Sequence, residues 1–396
     1  MIGKIKSIKD LDIKGKRVLI RVDFNCPMNK DGSVADDNRI KAALPTIEYA
    51  ISQEAKVVLM SHLGRPDGKK DPKYTLQGVG EKLAELLNKE VVFAHDCIGE
   101  GVWAIIENMS PGSVTLLENL RFYAEEEANN KEFAQKLSKL CDVYINDAFG
   151  TAHRAHASTA GIADFVKTKG AGLLMENEVE NLSAVLNNPQ KPFAAILGGA
   201  KVSSKIDLVE NFSKNTDVMI IGGAMAYTFL KAEGFNVGDS LVENDKLELA
   251  KKIIARFKTK GTQLLLPLDH VIASEVRDGV KWEITKDQNI PNGMKGLDIG
   301  PKTIELYKNA LKDVKMAIWN GPMGVFEVKP FDNGTVEIAR MLAQISAHTV
   351  VGGGDSASAV KKAGVKDKIT HVSTGGGASM EFLEGKKLPG IAALED

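Results

Sequence analysis

The 396-residue chain lacks several features that would indicate a specialised class of protein. Its three cysteines, Cys26, Cys97 and Cys141, include no CxxC pair, so neither a disulfide framework nor a zinc knuckle is expected. Its 51 basic and 52 acidic residues nearly balance, which argues against a general nucleic-acid binder. No apolar run approaches the roughly 20 residues of a membrane span, and the charged N-terminal stretch lacks the apolar region of a signal peptide. We expect a cytoplasmic protein with reduced thiols and with neither a nucleic-acid nor a membrane partner.

Short apolar runs rich in Val, Ile and Leu recur along the chain, each followed by a polar or glycine-rich turn and a longer amphipathic stretch. Continuous apolar strands that alternate with helices are typical of parallel sheets covered on both faces. The runs lie at 17–24, 56–62, 91–94, 113–118, 142–147, 193–197, 217–221, 263–268, 316–319, 349–351 and 369–372. These runs are too many for one doubly wound unit of ordinary size, and the chain is longer than a single core usually supports. We predict an α/β protein with two doubly wound, Rossmann-like domains.

A candidate connector between the two domains lies at 172–188. Its apolar stripe at helical spacing consists of Val179, Leu182, Val185 and Leu186. An interdomain helix here would be a stiff connector with hinges at its ends, although a surface helix within one domain fits the pattern nearly as well. The predicted domains are therefore 1–171 and 189–378, with 379–396 as a C-terminal tail.

In the first half of the chain, polar and basic side chains follow the predicted strands. Ligands bind outside the carboxyl ends of the strands in a parallel α/β sheet, so these side chains are candidates for one site. The basic ones are Arg39, His62, Arg65, Arg121 and Arg154. Singly, each arginine fits an ion-paired surface residue, but four near successive strand ends favour a basic pocket, because guanidinium groups match phosphate and carboxylate bidentately. The pattern predicts a small, multiply anionic substrate.

In the second half, glycine-rich turns follow the predicted strands. They lie at 198–199, 222–223, 321–324, 352–354 and 375–377. Glycine lets phosphates and flat ligands approach the backbone, and a helix that begins after such a turn offers unpaired N–H groups. Lys201 and Lys205, at the start of a helix, would project from one face toward the same anion. Asp355, which follows three glycines, suits a divalent cation that phosphates also hold. We interpret this half as a nucleotide site.

Two other functions fit parts of the pattern. No G-x-x-x-x-G-K-[ST] sequence is present, which excludes a P-loop protein. Gly352-x-Gly354-x-x-Ala357 fits a dinucleotide fingerprint, so an NAD-dependent dehydrogenase is one alternative. However, the acidic residue expected about 20 residues further on is missing, and Asp355 would repel a pyrophosphate without a metal. A non-catalytic anion-binding module is the second alternative. It explains the sequence less well than an enzyme does, because it gives no reason for the paired lysines or for an acid suited to a metal ion.

Eight ordered motifs resemble those of the phosphoglycerate kinase family, over essentially the full length of the chain. They are RVDFNCP (21–27), SHLGRP (61–66), ENLRF (118–122), NDAFGTAHRAHAS (146–158), LGGAKVSSK (197–205), WNGPMGVFE (319–327), GGGDS (352–356) and STGGGAS (373–379). The resemblance implies reversible, Mg²⁺-dependent phosphoryl transfer from 1,3-bisphosphoglycerate to ADP, giving 3-phosphoglycerate and ATP in glycolysis. It also implies a monomer whose domains close for transfer, with the tail 379–396 returning to the N-terminal domain.

Carried over motif by motif, the resemblance assigns phosphoglycerate to the first domain and the nucleotide to the second. The carboxylate and hydroxyl end of the phosphoglycerate would be positioned by Asp23, Asn25, Arg39 and His62, and its phosphate would be bound by Arg65, Arg121 and Arg154. The residues implied for the nucleotide are Gly199, Lys205, Gly222, Gly223, Asn320, Pro322, Val325, Glu327, Gly353, Gly354, Asp355 and Ser356. Asp355 would also ligate Mg²⁺, and Arg39 and Lys201 would be the catalytic cations on the transferring group.

If Asp355 ligates Mg²⁺, the substitution Asp355→Asn should weaken the Mg²⁺ dependence of ADP binding, because an amide is a poorer ligand than a carboxylate for this cation. Calorimetric titrations of ADP at increasing Mg²⁺ concentration measure that dependence in the variant and the unaltered protein. Superimposable metal titrations would remove Asp355 from the metal site.

Overall fold

Two large parallel sheets organise the computed structural model, which describes residues 3–395. The strands are β1 (Arg17–Arg21), β2 (Lys56–Met60), β3 (Val91–Ala94), β4 (Val114–Leu117), β5 (Val143–Asn146), β6 (Thr168–Ala171), β7 (Phe193–Leu197), β8 (Val218–Ile221), β9 (Gln263–Leu265), β10 (His270–Ala273), β11 (Trp282–Ile284), β12 (Lys295–Ile299), β13 (Met316–Asn320), β14 (His348–Gly352) and β15 (His371–Val372). The chain divides into one unit of Met1–Glu180 with Lys386–Asp396 and a second unit of Asn181–Gly385.

The helices alternate with the strands of both sheets. They are α1 (Asn38–Ser52), α2 (Gln77–Leu87), α3 (Glu100–Glu107), α4 (Ala124–Glu127), α5 (Lys131–Ser138), α6 (Leu173–Asn187), α7 (Ile206–Phe212), α8 (Met225–Ala232), α9 (Leu247–Lys260), α10 (Pro301–Leu311), α11 (Asn333–Leu342), α12 (Gly354–Lys362), α13 (Gly377–Leu383) and α14 (Pro389–Ala392). Short 3₁₀ helices include Pro72–Tyr74 and Leu120–Phe122. Among residues 3–395, no helix is both long enough and apolar enough to cross a membrane.

The sheet of the first unit has the strand order β3-β4-β2-β1-β5-β6, and all its pairs are parallel. Side chains of β4 and β5 are buried along the whole strand, as expected for apolar strands with both faces covered. Ile40 and Ile47 of α1 and Val79 and Leu83 of α2 belong to the same core cluster as the strand residue Ile20. Removing this apolar surface from water is what holds the layers together.

The main sheet of the second unit has the order β15-β14-β13-β7-β8-β9, again all parallel. Counted within the unit, this is the doubly wound order 6-5-4-1-2-3, whose direction reverses between the neighbours β7 and β13. A separate antiparallel sheet has the order β11-β10-β12. The predicted fold class is confirmed, and the reversal point identifies where a ligand is expected.

Each of the predicted apolar runs overlaps a strand, but β6, β10, β11 and β12 were not predicted. The sequence of β6 is TKGA, which contains no apolar run. All three residues of β11 are exposed, and β12 includes a glycine and a buried aspartate, Asp298. These strands form because of their partners and not because of a local apolar pattern.

The change from the first unit to the second falls within α6, after Glu180, and the change back falls after Gly385. The buried side chains of α6 are Met175, Glu178, Leu182 and Val185, so the predicted stripe residues Val179 and Leu186 are only partly buried. Residues 379–385 belong to the second unit, where Asn211 Nδ2 donates a 2.7 Å hydrogen bond to Leu383 O. The functional boundaries at 171, 188 and 378 stay predictions.

Candidate active site

The carboxyl ends of the central strands of the first sheet carry the predicted polar motifs. Arg21 at the end of β1 is paired with Met60 of β2 and with Asn146 of β5, and Leu59 of β2 is paired with Leu116 of β4. The segments that follow these strands therefore leave the sheet side by side. They begin at residues 22, 61, 118 and 147, and the predicted first-domain residues lie on them or on the adjoining start of α1.

Arg39 and Asp23 form an ion pair at this edge of the sheet. Arg39 lies in the first turn of α1, and its NH1 donates a hydrogen bond to Asp23 Oδ2. The Arg39 side chain is 40% exposed, whereas that of Asp23 is 14% exposed. The carboxylate therefore orients Arg39 while its guanidinium stays partly accessible to a ligand.

His62 is buried beside Arg21, which was not among the predicted site residues. Arg21 NH2 lies 3.1 Å from His62 Nδ1, and since a guanidinium can only donate, Nδ1 accepts and the hydrogen of the neutral ring lies on Nε2. Burial, followed by the charges of Arg21, Arg121 and Arg39, holds the pKa of His62 well below its usual value. His62 is therefore a neutral imidazole that can donate from Nε2.

Arg121 is buried and carries an unsatisfied donor. Its NH1 donates to Gly64 O at 2.8 Å, and its NH2 lies 3.2 Å from Glu127 Oε1. Burial lowers the pKa of Arg121, and the charges of Arg21 and Arg154 lower it further. Its Nε is buried without a hydrogen-bond acceptor in the described part of the chain. A buried guanidinium donor without a partner is an arrangement that an anion would satisfy.

Arg154 lies near the same cluster of charges. Burial, followed by the charges of Arg21, Arg121 and Arg154, lowers the pKa of His156 to about 4. Arg154 itself is partly buried, and its Nε donates to His153 Nε2 at 3.3 Å. Arg154 therefore lies in the same group of charges as Arg21 and Arg121, beside the neutral ring of His156.

The side chain of Asn25 contacts the backbone of Gly64, the residue that precedes Arg65. Asn25 Oδ1 accepts a 2.9 Å hydrogen bond from Gly64 N. Arg65 is exposed, and no hydrogen bond or ion pair joins its side chain to another of residues 3–395. Its guanidinium is available to a ligand, but its own side chain is not held in place.

Glu126 supplies a buried negative charge near this pocket and was not among the predicted residues. Its two carboxylate oxygens accept hydrogen bonds from Ser158 N at 2.9 Å and from Ser158 Oγ at 2.5 Å. Ser158 Oγ in turn accepts from Arg21 Nε at 2.8 Å. Burial raises the pKa of Glu126, and the charge of Arg21 opposes that rise. Glu126, linked to Arg21 through Ser158, compensates the positive charge of that arginine, which explains how Arg21 can be buried in the middle of a sheet.

In the second unit, the glycine turns pack on one another. Gly199 N donates to Pro322 O at 2.9 Å, and Gly223 N donates to Met323 O at 3.0 Å. A Cβ atom added at Gly198 would collide with Pro322 O, and one added at Gly222 would collide with Met323 Sδ. These glycines were predicted to allow close approach of a ligand, but Gly198 and Gly222 are required first by contacts between the loops.

A cavity of about 230 Å³ lies beside these turns. Of the residues predicted to bind the nucleotide, those that line it are Gly199, Gly223, Pro322, Val325, Glu327 and Asp355. Those that do not line it are Lys205, Gly222, Asn320, Gly353, Gly354 and Ser356. The lining residues that were not predicted include Tyr227, Gly296 and Leu297. A glycine backbone and apolar side chains form a slot suited to a flat base.

Lys201 and Lys205 do not share a helix face, contrary to the prediction, because the segment after β7 forms turns and α7 begins only at Ile206. Lys205 is buried, and its Nζ donates to Asn320 Oδ1 and, at 3.3 Å, to Asn320 O. Burial lowers the pKa of Lys205 to about 8, although Asp355 opposes the shift. The side chain of Lys201 is exposed.

The start of α12 carries the predicted metal ligand. Gly353, with φ +90°, precedes the helix, and Asp355 is exposed in its first turn. Ser356 is buried, and its Oγ accepts a 2.6 Å hydrogen bond from Gly321 N. No group of three or more His, Cys, Asp or Glu side chains among residues 3–395 could hold a metal ion. One accessible carboxylate nevertheless fits Mg²⁺, which proteins often bind through one carboxylate together with substrate phosphates.

The missed residues had weak local signals, with one exception. Arg21 directly follows three apolar residues of β1, Val18, Leu19 and Ile20, and an arginine that continues a buried run is unusual enough to have identified it. Leu297 and Gly296 belong to β12, which was not predicted at all. Tyr227 lies on α8, where an aromatic residue more often packs in the core.

Comparisons with known proteins agree with one another. A sequence profile of the family described as "Phosphoglycerate kinase" matches residues 8–386. Proteins of that name from Anaeromyxobacter sp. (strain Fw109-5) and Pelotomaculum thermopropionicum are 56% identical over 393 residues and 54% identical over 391, with 99% of both chains covered in each case. The solved phosphoglycerate kinase of Coxiella burnetii is 42% identical with a TM-score of 0.91, over 99% of both chains. That of Pyrococcus horikoshii OT3 is 35% identical with a TM-score of 0.82, over 98% of both. The chain belongs to the phosphoglycerate kinase family.

Proposed function

We propose that this protein transfers a phosphoryl group reversibly from 1,3-bisphosphoglycerate to ADP, as a phosphotransferase of glycolysis with a carboxyl group as acceptor in the reverse direction. Family membership supports this reaction. The structural observation that carries it is that one unit has a basic pocket and the other unit has a glycine-lined cavity. The dehydrogenase and the non-catalytic anion-binding module are not favoured, because the family likeness covers nearly the whole chain.

The first unit would hold the phosphoglycerate. Arg121 supports this assignment best, since its buried Nε lacks an acceptor that a phosphate oxygen could provide. Arg65 and Arg154 would complete the phosphate contacts. The opposite end of the substrate, with its carboxylate and hydroxyl, would contact Asp23, Asn25, Arg39 and the Nε2–H of His62.

The second unit would hold the nucleotide. The adenine and ribose would occupy the cavity lined by Gly199, Gly223, Pro322 and Val325, with Glu327 on the ribose hydroxyls. The other proposed nucleotide contacts are Lys205, Gly222, Asn320, Gly353, Gly354, Asp355 and Ser356. Mg²⁺, held by Asp355 and the phosphates, would neutralise part of the negative charge of the nucleotide.

The reaction needs no general base. The terminal phosphate oxygen of ADP and the carboxylate that leaves the acyl phosphate are both already ionised, so catalysis is mainly positioning and charge stabilisation. This agrees with the neutral state of the buried His62. Arg39 and Lys201 are the two cations that we place on the transferring group, and both side chains are at least partly exposed.

Because the two substrates would bind to different units, transfer requires the units to close and to exclude water, which would otherwise hydrolyse the acyl phosphate. We include α6, which contains one change of unit, in the proposed hinge. We also propose that the protein acts as a monomer in the cytoplasm.

The reaction is tested by a coupled assay. MgATP and 3-phosphoglycerate are supplied, and glyceraldehyde-3-phosphate dehydrogenase consumes the product while NADH absorbance is followed. We expect NADH loss that requires every component. No signal from folded protein, with the coupling enzyme shown to be active, would contradict the proposed function.

Arg39→Ala should lower kcat by about 10²–10³-fold, the usual effect of removing one donor that stabilises transition-state charge. ADP affinity should change less than about twofold, because Arg39 is in the other unit from the nucleotide cavity. Coupled-assay kinetics and calorimetry measure the two quantities. Lys41→Ala is the matched control, since Lys41 is an exposed cation of the same helix and is paired with Asp37. A large loss of ADP affinity with normal turnover would contradict the role of Arg39.

ADP affinity should fall by about tenfold as the pH rises from 7 to 9, because the unliganded protein loses the charge of Lys205 through about pH 8. Calorimetry at constant Mg²⁺ and ionic strength measures this profile. In Lys205→Met the affinity should be lower at pH 7 and nearly constant up to pH 9. An unaltered slope in that variant would show that another group causes the pH dependence.

A further inference from the structure

Asn119 lies at the carboxyl end of β4, between Glu118 and the 3₁₀ helix that carries Arg121, and its side chain is fully buried. Its Nδ2 donates to Leu63 O at 2.7 Å and to Tyr74 O at 2.9 Å. Its Oδ1 accepts from Leu63 N at 3.2 Å and from Arg121 N at 3.0 Å. A side-chain amide has two N–H donors and one oxygen with two lone pairs, and all four are used here. This network therefore determines the orientation of the group.

Glu118 binds the C-terminal end of the segment 63–76, whose N-terminal end is bound by Asn119. Its Oε2 accepts from Thr75 Oγ1 at 2.7 Å, and its Oε1 accepts from Leu76 N at 2.9 Å. With Asn119 bound to Leu63 and Tyr74, two consecutive residues of one strand end fasten both ends of the segment 63–76. Arg65 lies near the start of this segment.

The segment has little else to orient the Arg65 side chain, which is exposed and has no partner among residues 3–395. Gly64 connects it to the pocket, because Gly64 N donates to Asn25 Oδ1 and Gly64 O accepts from Arg121 NH1. A Cβ at Gly64 would collide with the Tyr74 ring, and the backbone there has φ +63°. The backbone just before Arg65 is therefore held by two residues. Asn119 bonds to Leu63, and Arg121 bonds to Gly64.

We propose that Asn119 is a positioning residue for phosphoglycerate, which sets the backbone of Arg65 and of Arg121 in one geometry. This inference rests on the proposed function, because it requires that these two arginines bind the phosphate. A single amide fastens Leu63, two residues before Arg65, and also bonds to the backbone N–H of Arg121. Loss of the amide would allow the backbones of Arg65 and Arg121 to move independently. The two guanidinium groups would then bind one phosphate less tightly.

The test compares Asn119→Ala, Arg65→Ala and the double variant by kinetics at varied concentrations of each substrate. We expect Asn119→Ala to raise the KM for 3-phosphoglycerate about tenfold, while the KM for MgATP changes less than about twofold. Because Asn119 acts through Arg65, the effect of the double variant should fall short of the product of the single effects by at least about threefold, as expected for residues in one network.

Two further variants separate positioning from general stability. Thr75→Val is nearly isosteric and removes the hydroxyl that donates to Glu118, so it should raise the KM for 3-phosphoglycerate to a smaller extent even if Asn119→Ala does not fold. Asn130→Ala is the matched control. Asn130 Oδ1 accepts from Phe133 N at the start of α5 in the same unit, so its loss should lower thermal stability without changing either KM.

The outcomes distinguish this inference from the function on which it rests. An unaltered protein that does not turn over 3-phosphoglycerate would overturn the proposed function. If that protein is active and Arg65→Ala raises the KM for 3-phosphoglycerate, an unchanged KM in both Asn119→Ala and Thr75→Val would overturn only the role of Asn119. Equal increases of both KM values, or single effects that multiply fully in the double variant, would also overturn it.

Discussion

Parallel pairing brings the carboxyl ends of all strands of a sheet to the same edge, and both candidate sites depend on that alignment. In the second unit, Asn320 is paired with Leu197 on one side and with Gly352 on the other. The three turns that follow consequently start side by side, and the hydrogen bond from Lys205 to Asn320 joins residues 115 positions apart. The same alignment in the first unit gathers four polar segments around Arg21. Without it, the motifs would be scattered surface loops.

The first site concentrates positive charge in a chain whose net charge is only −1. Three arginines contribute to the lowered pKa of His156, so their charges act on a common volume. Such a cluster is costly unless some of the charge is compensated, and the buried Glu126 compensates it through Ser158. The remaining positive charge is available to an anionic ligand. Burial also lowers the pKa of His62 and of His156, so these two rings stay neutral, which suits hydrogen bonding and not proton transfer.

Several residues near the sites make packing contacts or hydrogen bonds between loops, in addition to any contact with a ligand. Gly198 and Gly222 allow neighbouring turns to approach more closely than a side chain would permit. Asn119 uses its amide entirely on backbone groups and on none that would face a substrate. Ser356, a predicted nucleotide contact, already accepts a hydrogen bond from Gly321 N. A rigid arrangement of loops is therefore a precondition of the chemistry, since positioning accounts for much of phosphoryl transfer.

The sequence by itself determined the strands of the two large sheets, except β6, because continuous apolar runs are a local signal of strands buried on both faces. It also determined which motifs follow them, and so most of the candidate residues. Only the tertiary structure decided which residues are neighbours: Arg21 beside His62, Lys205 on Asn320 and apart from Lys201, and Leu297 in the cavity wall. The reason is that strand order and loop packing join residues distant in the chain, and no local periodicity encodes such contacts.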